Sequence, residues 1–322
     1  MTALHSNPDL YDTSEPPAAL DPLQEKLVLS VCPAGARIAE LQSFIPEWER
    51  YPLRVRVATA DGWERWLALT MQPEPELLER EARLLPVLAR LGLPVSEVLA
   101  GPVGHAEQPA AGAMMVLRQP PGRPLPFLRV TPEELDRTCE VLLASVARLH
   151  TLTGPLEQEA IAAELPRRTL EAEVDEIAAR GGPWLEQPVF ADAIKRLRPV
   201  LEAIDTPLVF SNGNVNTWLI RSDGQEVSGY IRLERACLED PLVGFAKYRL
   251  WELDRGWAPF RHAGLVERFL YRGNWSRADF APRLALRCLR ELQAEVPPQG
   301  DEKSPCREWL LELLRESLAC VT

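Results

Sequence analysis

Apolar and polar residues alternate along residues 53–58, which is the period of a strand with one buried face, and the turn signal Ala-Asp-Gly at 60–62 predicts a second strand that returns beside it. Two further short apolar stretches are also predicted as strands. Between the two pairs, apolar residues recur every three or four positions up to a Gly-Leu-Pro sequence, which predicts a helix and its end. The predicted strands are 53–58, 63–71, 95–103 and 113–117, and the predicted helix is 74–91. Residues 50–118 are thus predicted to form a β-β-α-β-β unit.

The segment before this unit is less regular. Residues 1–22 are polar and contain several prolines, so an extended arm is expected there. Residues 23–31 fit either one strand or a short helix. Residues 35–50 are predicted to contain a short helix.

The pattern after the unit is mostly helical. A linker at 119–124 combines three prolines with a glycine, which is typical of a stiff connection with a turn. Thr131, followed by Pro132 and two glutamates, predicts a capped start for a helix that runs to about Leu149, because the hydroxyl caps free N–H groups and acidic residues suit the positive helix end. Further helices are predicted within 155–205, 245–294 and 307–319, and short strands at 207–211, 218–220 and 227–233.

These patterns predict an α+β chain with two lobes. A length of 322 residues is enough for two such units. The predicted parts are an N-terminal arm and extension, a small sheet lobe with one helix, a linker, and a larger helical lobe that carries a β-hairpin. Their predicted boundaries are 1–45, 46–118, 119–124 and 125–322.

Composition and charge narrow the classes of partner. Apolar residues make up 46% of the chain, yet no run of about 18 apolar residues is present to cross a membrane. The N-terminus lacks the features of a signal peptide, so a cytoplasmic protein is expected. The net charge of −11 disfavours binding to nucleic acid or to anionic lipid. A cationic small molecule or a basic protein surface would be a better electrostatic match.

Cysteine, histidine and lysine add three limits. The six cysteines form no C-x-x-C pair and the four histidines are scattered, so no metal site is expected. The cysteines are expected to be free thiols. Only four of the 36 basic residues are lysines, which matters for chemistry that needs a lysine at a fixed place. They are Lys26, Lys195, Lys247 and Lys303.

Five local sequences follow one another in a distinctive order. A helix with the sequence LLEREARLLPVLARLGLPVSEVLA is followed by MMVLRQPPGRPL and ASVARLHTL, and later by LVFSNGNVNTWLI and YIRLERACLEDPLVGFA. This succession, across about residues 45–295, resembles the aminoglycoside phosphotransferase and choline-kinase-like family. The resemblance implies a kinase-like fold, with an antiparallel sheet lobe carrying one helix and a helical lobe whose β-hairpin belongs to the catalytic region.

The resemblance also implies where a phosphate-binding lysine and its helix glutamate should lie. Glu81 matches the glutamate, although it could equally be one of several solvated acids on its helix. Ala68 stands at the place of the lysine, and arginines on the neighbouring strands differ from lysine in shape. No glycine-rich phosphate loop is present in IPEWERYPLRV.

The family's catalytic loop reads H-G-D-x-x-x-x-N, and the matching stretch here is SNGNVNTWLI, residues 211–220. Two registers are open. When the alignment is anchored on the loop glycine, the positions of the family's histidine, base and metal-binding asparagine hold Asn212, Asn214 and Leu219, respectively. When it is anchored on the following strand, the same three positions hold Ser211, Gly213 and Trp218. Neither register places a carboxylate at the base position, and an amide does not accept a proton at neutral pH.

The metal-binding aspartate is replaced as well. Arg232 stands where the family has this aspartate, and a guanidinium repels the divalent cation that would bind there. Glu234 lies two residues further on the same face of a strand. Asp240 matches a downstream Asp-Pro pair of the family. Glu234 and Asp240 are therefore the remaining candidate metal ligands, and both are poor substitutes.

These replacements predict a catalytically degenerate kinase-like protein that binds a ligand or assembles with a protein partner, without a cofactor. The alternative is an active, divergent phosphotransferase that uses ATP and Mg²⁺ on an amino alcohol or aminoglycoside-type substrate. Leu117, Arg118 and Gln119 form the expected hinge, which either offers backbone groups to an adenine or is only a linker. Arg232 could contact the phosphates of a nucleotide bound without Mg²⁺.

Two surface features leave alternatives open. Seven acidic residues between 157 and 176 lie where the resemblance implies an acceptor site, so they suit either a polyamine-like ligand or a solvated helix face. The last helix carries an apolar stripe that either packs on its own lobe or docks on a partner. Its members are Trp309, Leu310, Leu313, Leu314 and Leu318.

Overall fold

The structure is a computed structural model that describes residues 19–43, 52–104, 112–126, 130–252, 258–294 and 305–321. Its strands are β1 Arg37–Ser43, β2 Leu53–Ala58, β3 Glu64–Gln72, β4 Val98–Gly104, β5 Ala113–Arg118, β6 Arg123–Pro124, β7 Arg167–Arg168, β8 Val209–Ser211, β9 Ile220–Ser222, β10 Val227–Tyr230 and β11 Cys237–Glu239. Its helices are α1 Pro22–Leu29, α2 Pro75–Arg90, α3 Pro132–Thr151, α4 Thr153–Glu157, α5 Leu170–Arg180, α6 Pro188–Glu202, α7 Val243–Trp251, α8 Ala258–Ala263, α9 Leu265–Arg272, α10 Arg277–Ala294 and α11 Pro305–Ala319. Across these ranges, each helix is too short or too polar to span a bilayer.

The first lobe is built on a five-stranded antiparallel sheet in the order β1-β2-β3-β5-β4. Alternation along β2 buries Leu53, Val55 and Val57 on the face that α1 covers. The opposite face of β3 carries Ala68 and turns toward α2. Ala68 pairs with residue 54 on β2 and with residue 117 on β5. The predicted β-β-α-β-β unit is confirmed.

The segment before the unit differs from the prediction. The expected helix within 35–50 is wrong over residues 37–43, which form β1 and pair antiparallel with β2. Cross-strand bonding overrides the local helical preference, because Glu40 on β1 binds Arg56 on β2 at 2.9 Å. Of the two structures open for 23–31, the helix is the one that forms. Up to residue 18, the predicted arm lies outside the described residues.

The second lobe is mostly helical, as predicted, which confirms the α+β class. Thr131 caps α3 and exchanges hydrogen bonds with Glu134, so this predicted helix start is confirmed. Strands β9 and β10 form the expected hairpin, although residues 217–219 are a 3₁₀ turn and β9 starts at Ile220. The apolar stripe of α11 packs against α10 and α6 of its own lobe. All six cysteines are free thiols.

Helix α2 joins the two lobes. At its carboxyl end, the backbone N–H of Tyr230 on β10 donates to the carbonyl of Pro94 at 2.9 Å. Two arginines of α2 also reach acidic residues of the helical lobe. These pairs are Arg83–Glu164 at 2.5 Å and Arg90–Glu159 at 2.7 Å. The cleft between the lobes is therefore bounded by a helix that is bound to both.

Candidate functional site

Arg232 lies at the start of a short loop between β10 and β11 and has a left-handed backbone, with φ of 61°. This region is unfavourable for a side chain with a Cβ, so surrounding contacts must hold it. The guanidinium supplies them, because Nη2 lies 2.7 Å and Nε 3.0 Å from Oε1 of Glu234. Both side chains are largely buried. The cation and the nearby candidate metal ligand thus bind each other.

Three residues of the sheet lobe reach the same loop. The Gln72 amide on β3 donates to Oε1 of Glu234 at 3.0 Å, and Arg80 on α2 donates to its backbone carbonyl at 2.8 Å. Glu81 accepts the backbone N–H of Leu233 at 2.8 Å. We call Gln72, Arg80 and Glu81, together with residues 232–234, the inter-lobe clasp. It occupies the place where the resemblance implies a metal-bound phosphate.

The clasp changes the charge of Glu81. Burial, followed by the charge of Glu234, raises the pKa of Glu81 from 4.5 to about 8, and the N–H of Leu233 offsets part of this increase. Glu81 is therefore protonated at neutral pH. Oε2 of both Glu81 and Glu234 is buried without a hydrogen-bond partner. The guanidinium groups of Arg232 and Arg80 lie beside these two carboxyl groups.

The position at which the resemblance implies a phosphate-binding lysine is apolar. Ala68 is 3% exposed and belongs to the core under α2, so its methyl group offers no ligand for phosphate. Its cross-strand neighbour Arg54 donates instead to Gln119 of the hinge at 3.2 Å. The side chain of β3 that does reach the clasp is Gln72, four residues further along the strand. Glu81 is bound by a backbone N–H where the resemblance implies a lysine.

The expected hinge lies at the end of β5. Leu117 is buried and pairs with β3, and the backbone N–H of Arg118 donates to the carbonyl of Glu97 at 2.8 Å. That donor is consequently used within the sheet lobe. Gln119 accepts from Arg54 through its side chain.

The loop at 211–220 is a tight polar turn. Asn212 is 1% exposed, and its Oδ1 accepts the N–H of Asn214 at 3.2 Å. Gly213 has a φ of 70°, and a Cβ at this position would lie 2.0 Å from the carbonyl oxygen of Arg235, so only glycine fits. In either register the base position is Gly213 or Asn214. The metal-asparagine position is Leu219, which is buried, or Trp218, which stacks on Trp251.

Lys247 on α7 is a site residue that the sequence analysis did not single out. Its Nζ lies 2.5 Å from Oδ1 of Asn214, although the residue is only 4% exposed. Burial first, and the charge of Arg287 second, lower the pKa of Lys247 well below its ordinary value. The signal in the sequence was a single lysine in VGFAKYRLW, a helix otherwise rich in apolar and aromatic residues.

Asp240 is held by a different arginine. Nη2 of Arg283 on α10 lies 2.6 Å from Oδ2 of Asp240, and Nε lies 3.2 Å from both carboxylate oxygens. The N–H of Leu242 donates to Oδ1 at 2.9 Å. Mg²⁺ requires free hard oxygen ligands, whereas the oxygens of Asp240 and Oε1 of Glu234 bind guanidinium groups. These residues do not fit a magnesium site, and the described ranges contain no group of three or more potential ligands.

The acidic residues between 157 and 176 are mostly neutralised by arginines. Six of the seven form salt bridges, so a cationic ligand would have to displace guanidinium groups that already bind them. The pairs are Glu157–Arg167, Glu159–Arg90, Glu164–Arg83, Glu173–Arg290, Asp175–Arg198 and Glu176–Arg180.

Comparisons with known proteins agree with this architecture. Residues 47–281 match the model of a family described as the phosphotransferase enzyme family, APH. No curated protein sequence matches the chain. Among solved structures, a mutant of aminoglycoside phosphotransferase APH(4)-Ia with ADP and hygromycin B has a TM-score of 0.61 at 15% identity, over 92% of this chain and 98% of that one. Amicoumacin kinase hAmiN with AMP-PNP, Ca²⁺ and Ami has a TM-score of 0.56 at 15% identity, over 91% and 92%. At these identities the likeness shows the kinase-like fold alone.

Proposed function

The chain belongs to the phosphotransferase enzyme family, and from that premise we propose that it is a degenerate member that binds a ligand or a partner without transferring phosphate. The observation that carries this proposal is the ion pair between Arg232 and Glu234. It supplies a buried cation at the place that the family resemblance assigns to a metal-binding carboxylate, and it engages the nearest alternative carboxylate.

Phosphoryl transfer depends on positioning and on stabilising charge, so it is sensitive to the loss of these groups. Four positions that the resemblance assigns to this task hold Ala68, Asn214 or Gly213, Leu219 or Trp218, and Arg232. The two candidate metal ligands, Glu234 and Asp240, are bound by arginines. When several residues act together in catalysis, one remaining residue does not restore the activity. The rate of the catalysed reaction falls by orders of magnitude when members of the group are removed.

The fold that surrounds these positions is retained. Both lobes have well-packed cores, and the clasp joins them through buried hydrogen bonds. A protein that keeps its architecture while its catalytic positions are replaced is suited to holding a small molecule or a partner protein. An active phosphotransferase that uses Glu234 or Asp240 as metal ligand is the alternative that an assay must address.

Two measurements test the proposal. The protein is titrated calorimetrically with ATP, with and without MgCl₂, and γ-phosphate release is followed over a panel of aminoglycosides, choline and amino alcohols. We expect no Mg²⁺-dependent enhancement of nucleotide binding and no phosphate release above the protein-free background. An aminoglycoside phosphotransferase assayed in parallel serves as the positive control.

Phosphate release that depends on the protein and is lost in Asn214→Ala or Arg232→Ala would overturn the proposal. The exposed Arg315 on α11 provides the matched arginine control, because α11 packs against α10 and α6 and contributes no residue to the clasp. Turnover that persists in these variants but is lost in Glu234→Gln or Asp240→Asn would also overturn the proposal, because these two residues are the metal ligands of the alternative.

A further inference from the structure

Lys247 is a buried amine with one neutral hydrogen-bond partner. It is 4% exposed, and its only hydrogen bond to the described residues joins Nζ to Oδ1 of Asn214. Buried cations in proteins are normally paired with a carboxylate, since an isolated charge in a protein interior is costly. Within the described part of the chain, no carboxylate forms a salt bridge with Lys247. The site therefore lacks the negative charge that a buried ammonium requires.

The charged groups around Lys247 come from two elements. Arg287 and Glu291 on α10 form a salt bridge with each other. Glu239 on β11 and Glu291 each act to raise the pKa of Lys247, while burial and Arg287 act to lower it and prevail. The net effect of these surroundings is a lowered pKa for the Lys247 amine, which further negative charge beside Nζ would raise.

The amine is buried next to an exposed side chain. Asn214, its partner, is exposed, so a ligand can reach this place by displacing one amide side chain. Partly buried indole rings flank it, since Nζ lies 5.0 Å from the ring centroid of Trp251, which stacks on Trp218 at 6.1 Å. We call Asn214, Trp218, Lys247 and Trp251 the lysine site.

We propose that the lysine site binds a small molecule that carries an oxyanion, either a carboxylate or a phosphate, next to a flat ring. The inference rests on the proposed function, because it names the ligand class of a cleft that binds without catalysis. The oxyanion replaces Oδ1 of Asn214 as the partner of Nζ, and the ring packs against the indole of Trp251 or Trp218. This selectivity is opposite in sign to that of a site built for a cationic acceptor.

Binding is coupled to protonation of the amine. Burial lowers the pKa of Lys247 in the free protein, and an oxyanion beside Nζ raises that pKa again, because its negative charge stabilises the ammonium. The proton comes from the buffer, and no covalent bond is made or broken. Binding of an anion is therefore accompanied by proton uptake, which a purely structural lysine would not show.

The experiment uses the full chain without nucleotide or Mg²⁺. Benzoate and phenyl phosphate are the two oxyanion probes, benzamide is the neutral analogue and benzylamine the cationic one. Titration calorimetry in two buffers of different ionisation enthalpy measures affinity and proton uptake together. We expect one oxyanion probe to bind with proton uptake and at least tenfold more tightly than benzamide, with benzylamine not binding. Comparison of benzoate with phenyl phosphate identifies the preferred oxyanion.

Three variants make the test specific. Lys247→Met keeps the length and apolar packing of the side chain but removes the amine. Asn214→Asp is isosteric and supplies an internal carboxylate that pairs with Lys247. Each is expected to weaken oxyanion binding at least tenfold and to abolish proton uptake. Lys195→Met, on the exposed face of α6, leaves both unchanged.

Equal affinity for benzoate, phenyl phosphate and benzamide, or proton uptake that persists in Lys247→Met, would overturn the inference. Because no nucleotide is present, such a result leaves the proposed loss of catalysis intact. Phosphate release in the separate assay would overturn that proposal without changing the outcome of these titrations. The two failures are thus distinguishable.

Discussion

Gln72 and Glu234 lie 162 positions apart in the chain, and the amide of the first donates to the carboxylate of the second at 3.0 Å. Both side chains are buried. This bond joins β3 of the sheet lobe to the loop before β11 of the helical lobe. It also engages Oε1 of Glu234, one of the two candidate metal ligands, so the same contact bears on stability and on the proposed function.

We expect Gln72→Leu to destabilise the protein by about 1–3 kcal/mol, because Oε1 of Glu234 loses a buried donor. Urea unfolding followed by circular dichroism measures the change in the free energy of unfolding. Glu97→Gln, which removes the exposed salt bridge to Arg118, is the control and is expected to cost about 0.5 kcal/mol or less. Equal costs for the two variants would contradict a stabilising role for the clasp.

The raised pKa of Glu81 predicts a pH dependence of stability. Glu81 releases its proton at a pH of about 8 in the folded chain and near its ordinary value of 4.5 when unfolded. Between these values the folded state holds more protons, so the free energy of unfolding falls as pH rises, with a slope of up to about 1.4 kcal/mol per pH unit.

Glu81→Gln removes this titration, so its stability relative to the parent chain should increase as pH rises from about 5 to about 8. Denaturant unfolding at several pH values measures the difference. Glu79→Gln on the exposed side of α2 is the matched control and is expected to follow the parent chain. A constant difference between Glu81→Gln and the parent would show that Glu81 does not retain its proton in the folded state.

The Arg232–Glu234 pair can be tested without disturbing the backbone. Asparagine tolerates the left-handed region, so Arg232→Asn removes the cation at a compatible φ. We expect it to cost about 3 kcal/mol, because Glu234 is left buried without its guanidinium. The double variant with Glu234→Gln should recover part of this loss. A double-mutant cycle gives the coupling energy, and a value near zero would contradict the pairing.

Gly213 is expected to be irreplaceable by alanine. A Cβ there would lie 2.0 Å from the carbonyl oxygen of Arg235, in addition to the strain of a positive φ. Gly224 also has a positive φ, but a Cβ there would meet no atom within 4 Å. Gly224→Ala should therefore cost only the backbone term, about 1–2 kcal/mol, and Gly213→Ala clearly more. Thermal unfolding of both variants provides the measurement, and similar melting temperatures would contradict the close approach.

Local signals predicted the regular elements well. Thr131 and Pro132 mark the start of α3 because capping depends on a few adjacent residues. The alternating residues of β2 predicted its buried face for the same reason, whereas residues 67–70 of β3 are buried one after another. Strand β1 was missed, since residues 37–43 become a strand only by pairing with β2, and that partner was not apparent in their own pattern.

The site was only partly predictable for a related reason. Ala68, Asn214 and Arg232 could be assigned to family positions from the sequence because they lie within ordered motifs. Their hydrogen-bond and packing partners come from segments that are distant in the sequence. Lys247 meets Asn214 across 33 positions and Gln72 meets Glu234 across 162, and no local pattern encodes either contact.

The pairing of Arg232 with Glu234 also limits the evolutionary paths open to this chain. Aspartate installed at position 232 would lose the guanidinium and stand beside Glu234 and Glu81, three acids in one dry space. Such a variant would be less stable than the parent chain unless a metal ion bound to the three acids. Under the proposed function, a return to catalysis would therefore require changes at several of these positions together, and Arg232→Asp alone would not be enough.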